Sequence, residues 1–561
     1  MRAAPRHRLL AVMFLVFALL AAACGGDDGG DDQSGATTTP ADSDGGGDDG
    51  GDDGGDSGDG ATITVATPGV VSSLDSERYQ GFISIDLLPN LAGTLLRFEE
   101  PEQGAEVLQQ PDQLEGELAE SWEVSEDRSS ATFTLREGVV SNLGNPLTSE
   151  DVAWSIERMI NSEGVPIARI LMEIGGWDLE NPIEVIDDRT FTLNFAAPNA
   201  VSLTVLTTFF MTIYDSEGVM ENATEDDQYG YEFLANNTAS FGPYEVESFD
   251  PGNEVRLVAN PNYHRGMPEV TDVVVRAVSE GSSRLQLAQR GEVDIAMALT
   301  FDQIESLQTD DAVRLEQVLY PNIDTIIMNV ESEPFDDVRV RQAVAYALDR
   351  EAILEGAYSG IGSVATDFFH DAFGVESIED TLEHDPERSR ELLAEAGLAD
   401  GFDMTIAYNV ANLGAHIEQV AVLIQSQLAE VGIDVELQNI PSGADFDAAK
   451  RDGTLSAWLA TSLPLVPDPA YYLQVFYATD GLTNLHNYST EEVDTLSRQI
   501  LETQPGEERD ELITEVNEFM IEDMASAPIV DTQKFYIFQP SVTGFRSYPQ
   551  GHIHYWDLSV G

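Results

Sequence analysis

The sequence predicts an α/β protein built as two lobes, each with its own sheet. The first observation is length, since the body from Ala61 onward has about 500 residues, more than one hydrophobic core normally serves. The second is a pair of strand–helix–strand patterns in which a helix ends at a glycine, Gly291 or Gly432, and a strand follows at once. That order is typical of a parallel crossover. One unit lies near the middle of the body and one lies late in it, which indicates two lobes.

The two crossover units can be read segment by segment. The first is the strand TDVVVRAV (271–278), a helix around Ser283–Arg290 and the strand VDIAMAL. The second is the strand FDMTIAYN (402–409), the amphipathic run AHIEQVAVLIQSQLAEV (415–431) and the strand IDVELQNI. Ligands of α/β sheets bind at the carboxyl ends of strands, and a cleft between lobes is a favoured place. We therefore expect a ligand cleft between the lobes.

Shorter patterns predict further elements. Alternating residues predict strands at 62–67, 131–135 and 189–195. Residues 244–260 predict two strands joined by a turn at Asp250-Pro-Gly-Asn. Thr148 is a suitable N-cap, with Asp151 three residues later, for a helix whose apolar face holds Val152, Ile156, Met159 and Ile160.

The amino terminus has the layout of a secretory signal peptide. Arginines at positions 2, 6 and 8 precede the apolar run Leu9–Ala23, which is too short to span a membrane comfortably. The stretch LAAAC ends at Cys24, the only cysteine, and resembles a bacterial lipobox with Ala21 in place of the usual leucine. We expect residues 1–23 to be the signal peptide and Cys24 to be the lipidated mature terminus. The alternative is an ordinary signal peptide with an incidental cysteine.

The segment that follows predicts a tether. Residues 25–60 are mostly Gly, Asp, Ser and Thr, without aromatic or large aliphatic side chains, so they cannot bury apolar surface. Residues 24–61 are therefore predicted to be a lipid-anchored, disordered linker. This anchor places the protein in the cell envelope, on the outer face of the cytoplasmic membrane or in a periplasm.

Composition and motifs exclude several function classes. The net charge of −74, with Lys450 and Lys534 the only lysines, repels nucleic acid, so no nucleic-acid partner is expected. A single cysteine excludes an internal disulfide and a cysteine-rich metal site. The sequence lacks a nucleophile elbow, a phosphate-binding loop, a zinc-protease motif and a dinucleotide fingerprint. His552 and His554 could chelate weakly, but packing is the commoner role. We expect no catalytic residues, no metal and no cofactor.

Several blocks resemble the large extracellular solute-binding proteins of peptide-type ABC transporters, called family 5. The blocks are LAESWEVSEDRSSATFTLREGV, NPLTSEDVAWSIERM, FGPYEVESFDPGNEVRLVANPNYHRG, GEVDIAMAL, IIMNVESEPFDDVRVRQAVAYALDREAIL and HNYSTEEVDTL. They occur in the family's order from about Thr62 to the end. The resemblance implies a two-lobed periplasmic-binding-protein fold of type II around a hinged ligand cleft, with an extra domain inserted in the first lobe.

The resemblance also implies domain boundaries. Lobe one would comprise 62–97, 183–320 and 530–561, the inserted domain 98–182, and lobe two 321–529. Hinge strands would lie near Tyr320–Ile323 and Ala527–Val530.

The resemblance implies that the protein is a receptor and not an enzyme. Ligand would be captured between the lobes, which close and then dock on the permease subunits of an ABC importer. The protein would act as a monomer and touch the membrane only through its lipid anchor. Two alternatives remain open: a ligand-binding sensory or adhesive lipoprotein without a permease, and a secreted hydrolase.

The ligand residues are also implied by the resemblance. Peptide receptors of the family grip an extended ligand with two segments, which correspond here to SERYQGFI and AWLATSLPLVPDPAYYLQVF. In the first segment, Tyr79, Gln80, Gly81 and Phe82 would face the cleft. In the second, Trp458, Thr461, Ser462 and Asp468 would contribute; Phe82 and Trp458 could instead be core aromatics.

The second segment departs from the family pattern at one position. Peptide receptors place an aspartate three residues after the tryptophan to bind the ligand's ammonium group, and this chain has Thr461 there. An unusual insert, 463–467, separates it from Asp468, which could supply the missing charge or simply start a helix. The ligand is accordingly predicted to be a peptide or a peptide-sized neutral compound, such as a sugar-like solute, and ordinary peptides with free amino termini are expected to bind poorly.

Overall fold

The computed structural model describes residues 60–78, 82–102, 104–162, 166–376, 378 and 382–561. The predicted signal peptide, Cys24 and all but the last two residues of the predicted tether lie outside the described residues. So do Tyr79, Gln80 and Gly81. Residues 59–561 form one compact unit.

Strands and helices alternate along most of the described chain. The strands are β1 Ala61–Thr67, β2 Leu96–Phe98, β3 Leu114–Gly116, β4 Ala119–Val124, β5 Ser130–Leu135, β6 Ile183–Asp187, β7 Thr190–Asn194, β8 Tyr244–Asp250, β9 Glu254–Ala259, β10 Val270–Ala277, β11 Ile295–Met297, β12 Arg314–Met328, β13 Ser363–Val364, β14 Phe402–Tyr408, β15 Ile433–Asn439, β16 Ala457–Ser462, β17 Ser526–Phe538, β18 Val542–Thr543 and β19 Ser559–Val560.

The helices complete the α/β architecture. The α-helices are α1 Phe82–Leu87, α2 Ser149–Ile160, α3 Ile167–Ile174, α4 Ser216–Met220, α5 Tyr231–Leu234, α6 Gly281–Gln289, α7 Phe301–Leu307, α8 Val338–Tyr346, α9 Arg350–Ala357, α10 Pro386–Glu395, α11 Val410–Leu413, α12 His416–Glu430, α13 Gly443–Arg451, α14 Pro469–Phe476, α15 Glu491–Glu502 and α16 Glu507–Asp523. Short 3₁₀ helices cover Leu88–Asn90, Thr204–Thr207, Phe209–Met211, Asp371–Phe373 and Tyr555–Asp557.

The locally encoded elements form where the sequence predicts them. Thr148 caps α2 and Asp151 completes the capping box, because each accepts a backbone hydrogen bond from the other. The glycine after α12, Gly432, has a φ of +91°, which suits a helix that stops and turns directly into a strand. β14 and β15 then pair in parallel, as expected for a crossover. In the earlier unit β1 lies between β10 and β11 and is parallel to both.

The expectation of a separate sheet for each lobe is wrong. Within the described residues, eleven strands from both predicted lobes form one sheet in the order β15-β14-β16-β12-β17-β11-β1-β10-β9-β8, with β13 added on β17. The reason is the length of β12 and β17, which pair antiparallel from Arg314↔Phe538 to Ile327↔Ser526. These two strands contain both predicted hinge segments and join the two halves of the sheet.

A second, smaller sheet bears on the predicted inserted domain. It has the order β4-β5-β7-β6, and β5 pairs with β7 from Ser130↔Asn194 to Thr134↔Thr190. The predicted boundary at 182/183 would cut this sheet between β5 and the β6–β7 hairpin. A boundary that keeps the sheet whole falls after Asn194. The other domain boundaries stay predictions.

The buried apolar side chains form two large clusters. The larger includes residues of β1, β5, β10, α14 and α16. The second packs α8, α9 and α12 against β12, β14 and β16 and draws its buried members from residues 326–530. No helix in the described ranges is both long and apolar enough to cross a membrane.

Candidate functional site

A cleft of about 440 Å³ opens beside the two long strands. Its walls include the carboxyl ends of β1 and β11 and the residues 411–414 that follow β14, and ligands of α/β sheets bind at this end of the strands. Its volume lies within the roughly 300–1,000 Å³ typical of small-molecule sites. The lining residues are 67–70, Asp86, Leu87, Val275, 297–299, Phe301, Ile304, Tyr320, Asn322, Asp324, 411–414, His416, Thr461, 532–535 and Tyr555.

The floor of the cleft is a row of polar side chains on neighbouring strands. Asn322 and Asp324 are two residues apart on β12, so both point to the same face of the sheet. Thr461 lies directly opposite Asp324 on β16, and Thr532 lies opposite Asn322 on β17. Lys534 follows two residues after Thr532. Strand alternation and pairing thus gather five polar side chains on one surface.

Asp324 is the least exposed charged group of this floor, at 3% of its full accessible area. Its Oδ2 accepts a hydrogen bond from the Tyr358 hydroxyl at 2.6 Å and lies 3.2 Å from Nε2 of His416. Burial, followed by the Asp324 charge and this hydrogen bond, raises the pKa of Tyr358 well above its usual value, so its phenol stays a donor. Asp324 and His416 both line the cleft.

The ammonium group of Lys534, on the β17 side of the floor, interacts with nearby groups of the protein. Its Nζ donates to Oδ1 of Asp86 at 2.9 Å and to the Gly551 carbonyl at 3.1 Å. It also lies over the rings of Tyr320 and Tyr536, 5.3 and 4.8 Å from their centroids. The charge of Lys534 is therefore largely compensated within the protein.

The predicted lobes touch at the rim of the cleft. The ring of Phe301, at the start of α7, lies 5.1 Å from the rings of both Tyr358 and His416. Beside it, the Ser359 hydroxyl donates to Oδ1 of Asp302 at 2.8 Å. These contacts join residues assigned to lobe one with residues assigned to lobe two.

Of the residues predicted on β16, the structure brings only Thr461 to the cleft. Trp458 is buried against Phe446 and Leu455 and pairs with Ile327. Trp458 and Thr461 are three residues apart, and in a regular strand such residues point to opposite faces. Ser462 is buried as well, with its hydroxyl 3.1 Å from that of Tyr472.

Asp468 lies away from the cleft and is fully buried. Its Oδ1 accepts the backbone N–H groups of Ala470 and Tyr471 as the N-cap of α14. Its Oδ2 accepts a hydrogen bond from Nη2 of Arg509 at 2.7 Å, and Arg509 is only 2% exposed. In this structure Asp468 therefore starts a helix and neutralises a buried cation.

Buried charged residues lie at the start of the first predicted ligand segment. Asp75 and Arg158 form an ion pair of 2.6 Å with neither side chain exposed. Burial raises the pKa of Glu77 to about 8, against the lowering effect of Arg158, and the nearby Asp75 adds to the rise. Tyr79–Gly81 lie outside the described residues, and Phe82 is the first residue of α1. The ligand contacts of these four residues stay a prediction.

His552 and His554 form a buried pair, with their Nε2 atoms 2.5 Å apart. Burial, with the neighbouring charges, lowers the pKa of His554 to about 3 and that of His552 well below its usual value, so both rings are neutral. Among the described residues, no group of three or more His, Cys, Asp or Glu side chains is arranged to hold a metal ion.

The comparison with protein families decides the class of this protein. The model of the bacterial extracellular solute-binding proteins, family 5, matches residues 113–484, well over half of the chain. The chain belongs to this family. At the level of the family it is a solute-binding protein of the peptide-type ABC importers, and its relatives are binding proteins and not enzymes.

Individual relatives of this family 5 binding protein cover most of its length. Heme-binding protein A of Haemophilus influenzae is 27% identical over 470 residues, 80% of this chain and 84% of that protein. The probable D,D-dipeptide-binding periplasmic protein of Escherichia coli is 26% identical over 436 residues, 77% of this chain and 82% of that protein. The periplasmic binding protein DppA of Helicobacter pylori, solved with the peptide STSA, has a TM-score of 0.76 at 21% identity and covers 89% of this chain and 98% of that one. This likeness confirms the two-lobed α/β fold.

Sequence reasoning missed most of the cleft floor of this family 5 protein. Asp324 directly follows the predicted hinge segment Tyr320–Ile323, and Lys534 is one of only two lysines in a very acidic chain. The rarity of lysine was a usable signal for Lys534. Nothing local marked Asp324, because its neighbours on β16 and α12 are distant in the chain.

Proposed function

We propose that this chain is the lipid-anchored receptor of an ABC importer, which captures a peptide-sized solute between its lobes and delivers it to a permease. The cleft supports the proposal, because residues assigned to both lobes line it and one of them, Asn322, has a buried Oδ1 without a hydrogen-bond partner among the described residues. The relatives include a probable D,D-dipeptide-binding protein and a binding protein solved in complex with a four-residue peptide, which supports a solute of this size.

The test of the proposed function is to find the solute and show that it closes the receptor. Native mass spectrometry of the protein purified from its own host should show a co-purified small molecule in the mass range of a short peptide. Reconstitution with the permease subunits separates an importer from a sensory lipoprotein, because only an importer stimulates permease ATP hydrolysis when its ligand is bound.

Ligand should stabilise the native state and make it more compact. At a concentration of about 100 times the Kd, a ligand that binds only the native state adds roughly 2.7 kcal/mol to the free energy of unfolding. We expect calorimetry to show the rise in Tm and small-angle scattering to show a smaller radius of gyration. A tightly bound solute that leaves the radius unchanged contradicts closure, though not binding.

Replacing Cys24 with alanine should release the protein from the membrane. The thiol is the attachment point for the acyl chains, and stable anchoring requires more than one chain. We expect wild type in the membrane fraction of the native host and Cys24→Ala in the soluble fraction. Cys24→Ala that still partitions with membranes would show that the cysteine is incidental.

A further inference from the structure

A small void continues the cleft beyond the end of β16, and the insert 463–467 forms one side of it. The void has a volume of about 20 Å³, which is room for about one water molecule. Tyr320 lines both the cleft and the void. Along the chain the lining passes from Thr461 in the cleft to Leu463 in the void, so the two spaces adjoin. The insert therefore lies at one end of the cleft.

Residues assigned to both lobes face each other across this void. Residues 463–465 of the insert line it from lobe two. The apolar side chains of Ile85, Phe209 and Phe210 line it from lobe one. Both leucines of the insert are half-buried and pack against the apolar cluster that contains these three side chains. A void of this size leaves no room between the insert and lobe one for a group of the solute much larger than water.

The insert is held by the elements on both sides of it. Before it, β16 ends at Ser462, which pairs with Ile323 of β12. After it, the buried N-cap of α14, Asp468, donates its backbone N–H to the carbonyl of the fully buried Val466 at 2.8 Å. Two residues of the insert are prolines, whose rings fix φ near about −65°. These constraints give the two leucines a defined position at the end of the cleft.

We propose that the insert 463–467 is a wall at one end of the cleft and sets the maximum length of an extended peptide solute. Leu463 and Leu465 perform this role, because their side chains occupy the space next to Tyr320 that a further residue of the solute would need. The inference rests on the proposed function and adds a specificity determinant to it. The insert departs from the family pattern, so we expect the limit to be a feature of this chain.

Two series of peptide mixtures test the proposal on the lipid-anchored protein in detergent. One contains peptides of two to six residues with free amino termini. The other contains the same peptides with acetylated amino termini, so that the result does not depend on the charge at that end. We expect binding to wild type to reach a definite length, beyond which the affinity falls by at least about tenfold. Wild type that binds all lengths equally, or none of them, overturns the proposal.

A double variant locates the limit at the insert. Leu463→Ala combined with Leu465→Ala removes most of both side chains and enlarges the void. The first peptide length that wild type rejects should therefore bind to this variant at least about tenfold more tightly than to wild type, while shorter peptides should bind equally to both.

The matched control is Leu203→Ala combined with Leu512→Ala. These are also half-buried leucines that pack against the same apolar cluster, and neither lines the cleft or the void. The control should keep the length limit of wild type. An unchanged limit in the insert variant, or an equal shift of the limit in the control, overturns the proposal. Equal weakening of all lengths in the insert variant overturns it as well, because the leucines would then only support the fold.

The remaining outcomes separate this inference from the proposed function. If the double variant does not fold, Leu465→Ala alone is compared with Leu512→Ala by the same criteria. If a co-purified solute of another chemical class binds and no peptide does, the length limit is wrong and the receptor function stands. If no solute co-purifies and no peptide of either series binds, the proposed function fails as well.

Discussion

Replacing Asp468 with asparagine is expected to lower the free energy of unfolding by about 3–5 kcal/mol without weakening ligand binding. Asparagine is as good an N-cap as aspartate, so the start of α14 is preserved. The loss arises because Arg509 is 2% exposed and would keep its charge without a counter-ion. Chemical denaturation measures the stability, and calorimetry with the co-purified solute measures the affinity.

Arg509 supplies the control for that result. Arg509→Met in the Asp468→Asn background removes the orphaned cation, so the double variant should recover part of the lost stability. Asp468→Asn with wild-type stability and a large loss of affinity would contradict the structural role and restore Asp468 as a ligand group.

Replacing Glu77 with glutamine is expected to stabilise the protein at alkaline pH and to change little near pH 4.5. The pKa of Glu77 is raised to about 8 by burial, so the folded state holds a proton that the unfolded state has released above its value of about 4.5. Its stabilising contribution is therefore complete below pH 4.5 and is lost as the pH rises through 8. Glutamine mimics the protonated acid at every pH.

The size of the stability difference between wild type and Glu77→Gln follows from the rise in the pKa of Glu77. About 3.5 pH units correspond to a difference of at most about 5 kcal/mol between wild type and Glu77→Gln at pH 9, on an order-of-magnitude scale. Unfolding free energies of both proteins should be measured at pH 5, 7 and 9. A difference that does not grow with pH would show that Glu77 is ionised in the folded protein. Glu522→Gln, at an exposed position of α16, is the matched control for the general effect of removing one negative charge.

The sequence predicted well what short segments encode by themselves. The capping box at Thr148 and Asp151, the helix stop at Gly432 and the hairpin at 244–260 each depend on residues a few positions apart. The family resemblance added the two-lobed fold, which several separate blocks support. These signals do not depend on the order in which the strands pair in the sheet.

The parts that the sequence did not predict depend on pairing between distant segments. The union of both lobes in one sheet follows from β12 and β17, whose long ladder no local pattern reveals. Trp458 was predicted to face the cleft, yet strand alternation places it on the face opposite to Thr461. Asp324 became a candidate only when the register of β12 and β16 placed it across from that threonine.

The irregularities in the ladder between β12 and β17 have a mechanical consequence. Register shifts occur between Val318 and Asn322 and between Asp324 and Thr325, so they bracket the two residues that β12 contributes to the floor of the cleft, Asn322 and Asp324. Ladder hydrogen bonds are disrupted at such points, which makes them the most compliant part of an otherwise stiff joint. A solute that binds the short stretch between the two register shifts would restrict the motion of the ladder at both of them. Ligand binding would then make the connection between the two halves of the molecule more rigid.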